Sequence, residues 1–199
     1  MKIIGLTGGS GSGKGLVGVF FSSFGGVVVD TDELYHSMID KDSPCSRALI
    51  SEFGKEIEAA NGGIARDKLA DIVFSDKSKL AVLNKIAHGF VRAECERIIE
   101  KERESGIEML IVDAPQLFEA DMQGICDATV AVISDRNTRL KRICSRDGIS
   151  EIKANARIAS QHTDAFFAEN CDFVIENNSD AAHLLAAVKR VLDKIRDMD

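Results

Sequence analysis

The stretch Gly8–Leu16, GGSGSGKGL, constrains what this chain can fold into more than any other. It follows a short apolar run, Lys2–Thr7 (KIIGLT), and precedes Leu16–Phe24 (LVGVFFSSF), whose helical spacing stops at Gly25 and Gly26. Strand, glycine loop and helix in that order are the setting in which G-x-x-x-x-G-K-[ST], the Walker A pattern, binds phosphate. Backbone N–H groups at a helix start turn toward the anion, glycine lets it come close, and lysine adds a cation. Gly8, Gly9, Ser10, Gly11, Ser12, Gly13 and Lys14 fit the pattern, so nucleotide binding is expected there. Gly15 stands where a hydroxyl belongs, and Leu16 offers no replacement.

The rest of the chain alternates strands with helices, which predicts a parallel sheet covered by helices. Val27–Asp30 (VVVD), Met109–Asp113 (MLIVD), Ala128–Ser134 (ATVAVIS) and Asp172–Glu176 (DFVIE) read as four further strands, making five. From Thr31 to Ser105 the pattern is helical. Asp30, Thr31 or Asp32 is placed to cap a helix at DELYHSMI, and Pro44 to open another. Leu80, Leu83, Ala87, Val91, Cys95 and Ile98 recur at helical spacing, although Gly89 weakens that helix. Leu184, Val188, Val191, Leu192 and Ile195 mark a C-terminal amphipathic helix.

Composition excludes several classes. The 199 residues carry a net charge of −7, which leaves no global basic footprint for nucleic acid. No run reaches the ~18 apolar residues of a membrane span. The N-terminal apolar stretch is too short for a signal peptide. The 5 cysteines are scattered without a C-x-x-C pair, so reduced thiols in a cytoplasmic protein are expected. Anionic small molecules remain possible ligands, because a local basic cluster suffices to bind them. Arg139, Lys141, Arg142 and Arg146, followed by Arg157, are such a cluster, or else a solvated helix face.

Three carboxylates stand at predicted strand ends, where parallel sheets gather functional groups. Asp30 and Asp32 follow the second strand, and a carboxylate there can orient an attacking hydroxyl and take its proton. Asp113 closes the third strand, either near a magnesium ion or as a cap for the next turn. The arginines from Arg139 to Arg157 suit a flap that brings positive charge over a transferring phosphoryl group.

Seven motifs run in order over nearly the whole length of the chain. They begin with GLTGGSGSGKG (Gly5–Gly15), VVDTDELYH (Val28–His36), AHGFVR (Ala87–Arg92) and VDAPQLFE (Val112–Glu119). RDGIS (Arg146–Ser150), RIASQ (Arg157–Gln161) and DFVIENN (Asp172–Asn178) follow. In these the chain resembles the dephospho-coenzyme A kinase family. The resemblance implies a P-loop kinase that passes the γ-phosphoryl group of ATP to the ribose 3′-hydroxyl of dephospho-coenzyme A, the last step of coenzyme A synthesis. It further implies one domain with a sheet core (about 1–30, 106–135 and 170–199), a helical acceptor-binding region (about 31–105) and a mobile lid (about 136–169).

Carried over by position, Asp32 is the base or orienting carboxylate and Lys14 holds the β- and γ-phosphates. Arg142, Arg146 and Arg157 are lid residues, and Asn177 lies near adenine. His88, Arg92 and Glu119 lie near the acceptor, and Mg²⁺ is held by Asp32 and Asp113 through water. The implied partners are ATP and dephospho-coenzyme A, with a monomer or small homo-oligomer and neither nucleic acid nor membrane. The family normally has Ser or Thr at Gly15, Pro at Gly89, and Leu at Gln116. Two other readings stay open on the residues: another small-molecule kinase, or a nucleotide-binding regulatory module with weakened catalysis. A GTPase is disfavoured, because NKIA (Asn84–Ala87) lacks the aspartate of N-K-x-D.

Overall fold

The computed structural model describes residues 1–198, which divide into a sheet unit (Met1–Val29 and Lys101 onward) and a helical unit (Asp30–Glu100). Five strands form one sheet: β1 (Lys2–Thr7), β2 (Val27–Asp30), β3 (Met109–Asp113), β4 (Ala128–Ile133) and β5 (Phe173–Glu176). Their spatial order is β2-β3-β1-β4-β5. The β1–β3, β1–β4 and β4–β5 pairings are parallel. β1 is therefore central, and the loop that follows it opens at the middle of the carboxyl edge, where parallel sheets bind ligands. The register sets Leu6 beside Asp113 on one side and Val130 on the other. That pairing carries the end of β3 to the root of the glycine loop.

Apolar runs make the three inner strands, β1, β3 and β4, because both their faces are covered. All five residues of β3 are buried, Asp113 included. Helices α1 (Lys14–Ser23) and α9 (Ala181–Arg196) pack against each other and share one core with the strands. Val17 and Phe21 from α1 meet Leu184, Val188, Leu192 and Ile195 from α9 in that core. The predicted fifth strand loses its first residue: Asp172 turns its carboxylate onto Thr129, accepting from the backbone N–H at 2.8 Å and the hydroxyl at 2.7 Å. Helices α6 (Arg136–Asp147), α7 (Glu151–Ala159) and α8 (Asp164–Asn170) fill the interval between β4 and β5. Ile143, Ala154 and Ile158 give α6 and α7 a small core of their own.

The helical unit contains α2 (Thr31–Ile39), α3 (Pro44–Phe53), α4 (Arg66–Phe74) and most of α5 (Lys77–Ser105). Of the three capping candidates, Asp30 caps α2, accepting from Asp32 N–H at 2.9 Å and Glu33 N–H at 3.1 Å. Thr31 and Asp32 are the first residues of the helix, not its cap. Ser43 and Ser46 form a reciprocal capping box at α3, with Pro44 at its first position, as the missing proline N–H favours. Ile39, Cys45, Leu49, Ile57, Ile64, Leu69 and Val73 make this unit's core. Helix α5 runs unbroken through Gly89, whose exposed position asks little of the side chain. Its buried stripe ends on Ile99 where the spacing predicts Ile98, which is only half-buried.

Candidate active site

The loop between β1 and α1 owes its shape to side chains that hold its carbonyls from outside. Arg139 Nε donates to the Ser10 carbonyl at 2.9 Å. Arg142 Nη1 donates to the carbonyls of Gly11 and Ser12, each at 3.2 Å. Asn177 Nδ2 also donates to the Ser12 carbonyl, at 2.8 Å. In a trans peptide the C=O and the following N–H point in opposite directions. Holding those three carbonyls therefore turns the N–H groups of Gly11, Ser12 and Gly13 the other way. Ser12 N–H closes back onto Gly9 at 3.1 Å, while Gly11 and Gly13 N–H have no protein acceptor among the described residues. Lys14 and Gly15 follow at the start of α1, so the whole is an anion cradle at a helix N-terminus.

Glycine is demanded at Gly8, Gly9, Gly11 and Gly13 by this arrangement. Gly13 has φ 92°, and a Cβ there would lie 2.1 Å from Asn177 Nδ2. A Cβ on Gly9 would lie 2.2 Å from the Arg139 guanidinium, which is buried against the loop. Gly15 is different: a Cβ there meets nothing within 4 Å, and its φ lies outside the left-handed region. The missing hydroxyl thus reflects the residue alone, since the backbone has room for serine or threonine.

Lys14 forms an ion pair with Asp113, and both side chains are largely buried, at 16% and 8% exposure. Asp113 therefore meets the loop lysine directly, which neither the magnesium role nor the turn-capping role anticipated. Among the described residues no cluster of three or more His, Cys, Asp or Glu is preformed for a metal. One carboxylate beside an anion cradle still fits Mg²⁺, which takes oxygen ligands, keeps several waters and rides in with phosphate.

The basic stretch divides by depth. Arg139 is 4% exposed, Arg142 is half-buried on the loop, and Lys141 faces solvent. A solvated face therefore describes only part of it. Burial lowers the pKa of Arg139 from the usual guanidinium value, an effect that Asp164, 3.5 Å away, opposes. Arg146 and Arg157 meet on one carboxylate: Arg146 donates to Asp147 at 2.7 and 3.0 Å, and Arg157 pairs with its Oδ2. Hydrogen bonds from Arg146 and then Arg157 hold Asp147 down at about 2. Asn177 is buried beneath the loop, and its own carbonyl accepts from Ser134 Oγ at 2.9 Å and Arg142 Nη2 at 3.2 Å.

Glu119 follows β3 and lies 3.3 Å from His162 Nε2, whose ring stacks on Phe166 with centroids 3.7 Å apart. Gln116, beside it, is exposed and contributes its carbonyl to a turn with Ala120 N–H at 3.0 Å. Asp32, His88 and Arg92 belong to the helical unit. Asp32 is exposed on the first turn of α2, free of any capping duty. His88 and Arg92 sit one turn apart on α5, and Arg92 Nε donates to Glu96 at 3.1 Å. The sheet unit thus assembles Gly8–Leu16, Asp113, Arg142 and Asn177 within one site. Sequence reasoning overlooked Gln161 and gave Arg139 no role on the loop. The available signal was spacing: Arg139 lies four residues before Ile143, on the buried side of α6.

A lysine-bearing glycine loop at the carboxyl end of the central strand of this sheet defines a P-loop kinase. The family model for dephospho-CoA kinase matches residues 2–183. A dephospho-CoA kinase of Fusobacterium nucleatum is 38% identical over 195 residues, covering 98% of this chain and 99% of the relative. One from Arabidopsis thaliana is 36% identical over 196 residues, covering 98% and 84%. The crystal structure of TT1252 from Thermus thermophilus superposes with TM-score 0.76 at 28% identity, covering 97% of each chain. The chain belongs to the dephospho-CoA kinase family.

Proposed function

We propose that this protein transfers the γ-phosphoryl group of ATP to the ribose 3′-hydroxyl of dephospho-coenzyme A, releasing ADP and coenzyme A. The observation that carries the reading is the loop itself: its carbonyls are held outward and its amides turned inward beside Lys14. That cradle binds the β- and γ-phosphates. Lys14 leaves Asp113 to meet them, exchanging one anionic partner for another. Asp32 orients the acceptor hydroxyl and takes its proton as the 3′-oxygen bonds to the γ-phosphorus. The bond from that phosphorus to the β,γ-bridging oxygen breaks, and ADP carries the electron pair away. Arg146 and Arg157, on the segment 136–169, supply positive charge to the transferring group and limit water, and Arg142 adds its charge from the carbonyl side of the loop it holds.

His88, Arg92 and Glu119 serve the acceptor. Asn177 holds the Ser12 carbonyl of the phosphate loop from below and lies near the adenine. Asp113 and Asp32 would hold Mg²⁺ through water, because Gly15 has no hydroxyl to offer. Bound with the nucleotide, the ion neutralises phosphate charge. The free cysteines support a reducing, cytoplasmic setting. Among the described residues no helix is long and apolar enough to cross a membrane.

The test is phosphoryl transfer from ATP to dephospho-coenzyme A across a Mg²⁺ titration, with ATP binding measured in parallel. Turnover at millimolar Mg²⁺ supports the reading. ATP binding without turnover on this acceptor removes it in favour of another acceptor or a regulatory nucleotide-binding role.

A further inference from the structure

One loop residue is held by side chains at both its carbonyl and its N–H. While Arg139 takes the Ser10 carbonyl, Ser10 N–H donates to Gln161 Oε1 at 2.8 Å. Arg139 Nη2 donates to the same oxygen at 3.1 Å, closing a triangle of Ser10, Arg139 and Gln161. Gln161 lies on the short connection between α7 and α8. Its neighbour His162 points elsewhere: it contacts Glu119 at 3.3 Å and stacks on Phe166, which meets Phe118 edge-on at 5.2 Å between centroids. Phe118 and Glu119 follow the end of β3, the strand that supplies Asp113. Two consecutive side chains thus grip two separate parts of the site.

We propose that Gln161 and His162 splint the phosphate loop to the segment after β3, and that Gln161 is a positioning residue for phosphoryl transfer. Ser10 immediately precedes the first inward-turned amide, Gly11. The Ser10–Gly11 peptide plane sets the direction of that amide: Arg139 holds its carbonyl, while Gln161 fixes the preceding Gly9–Ser10 plane and braces the Arg139 guanidinium. Arg139 is almost fully buried to do this, and a desolvated guanidinium is costly unless its donors are used. Here they are, on the loop, on Gln161 and toward Asp164. A small displacement of the loop lowers the transfer rate more than it lowers nucleotide affinity, because several other amides still bind the phosphates.

The kinetic arm of the test rests on the kinase reading, and the exchange arm does not. Gln161→Met keeps the length but removes the acceptor; Gln161→Glu keeps an acceptor for both Ser10 and Arg139. In Gln161→Met we expect kcat to fall at least about 10-fold with KM for ATP within about 3-fold, as for a misplaced reacting group. Amide hydrogen exchange of the peptide covering residues 8–16 should quicken in the same variant without nucleotide. Gln161→Glu should restore both to within about 3-fold of the parent. Unaltered kcat and exchange in Gln161→Met overturns the proposal, and so does equal damage in Gln161→Glu. If Gln161→Met does not fold, Arg139→Lys carries the same prediction through Ser10. A parent protein without turnover would sink the kinase reading, and the exchange comparison would still decide the splint.

Discussion

In the proposed reaction, a single absent side chain at Gly15 separates nucleotide binding from metal placement. Its N–H still belongs to the anion cradle, and nothing lies within 4 Å of the position a Cβ would take. Gly15→Thr should therefore be accepted without backbone change. It is expected to lower the half-saturating Mg²⁺ concentration and to raise turnover about 3- to 30-fold, the smaller share of a transition-state contact that water partly replaces. A Mg²⁺ titration of initial rates reads both, and superimposable curves would remove the metal role assigned to this position. Asp113 makes the complementary case. Asp113→Asn frees Lys14 from its charge partner while discarding a carboxylate at the strand end. Nucleotide affinity should hold or rise, whereas turnover should fall at least about 10-fold; calorimetric ADP binding beside a rate assay separates the two.

Helices differ in how much they leave to individual residues. Along α5, Gly89 is a poor helix former carried inside an unbroken helix, at an exposed position with open space around it. Gly89→Ala should stabilise the protein by about 0.5–1 kcal/mol, the ordinary difference in helix propensity, measurable as a shifted denaturant midpoint. Helix α9 is the opposite case, since Leu192 is 1% exposed within the main core. Leu192→Ala should cost about 2–5 kcal/mol through lost burial and the cavity left behind. Helix α6 shares its residues between tasks: Ile143 builds a small core while Arg139 and Arg142 shape the phosphate loop. An arginine on the buried side of a helix is a binding device there, and α6 cannot be read as a purely solvated basic helix.

Across the whole molecule the proposed chemistry divides between two units. The phosphate loop, Lys14 and Asp113 lie in the sheet unit; Asp32, His88 and Arg92 lie in the helical unit. Asp32 is exposed and does not cap its helix, so replacing it should not disturb the fold. Asp32→Asn should lower turnover about 100- to 10,000-fold, the usual worth of a general base, and leave ADP affinity within about 2-fold. Loss of nucleotide binding in that variant would instead make Asp32 a part of the phosphate site.

Much of this architecture is local and therefore legible in the chain. The strand, glycine loop and helix at the start are adjacent residues obeying backbone sterics, and the apolar runs mark buried strands without reference to their neighbours. Ends were less legible: Asp30 rather than Thr31 or Asp32 caps α2, and Asp172 leaves its strand to bind Thr129, because caps depend on which donors lie within reach. What the sequence by itself determined is the P-loop class, the helical middle region, and Lys14 with its missing neighbouring hydroxyl. Tertiary structure alone decided that Asp113 pairs with Lys14, that Asn177 and Arg142 hold the loop from below, and that Arg139 and Gln161 clamp Ser10. Those partners lie tens to more than a hundred residues away along the chain, and a hydrogen bond is set by distance and angle in space, which no local pattern of residues encodes.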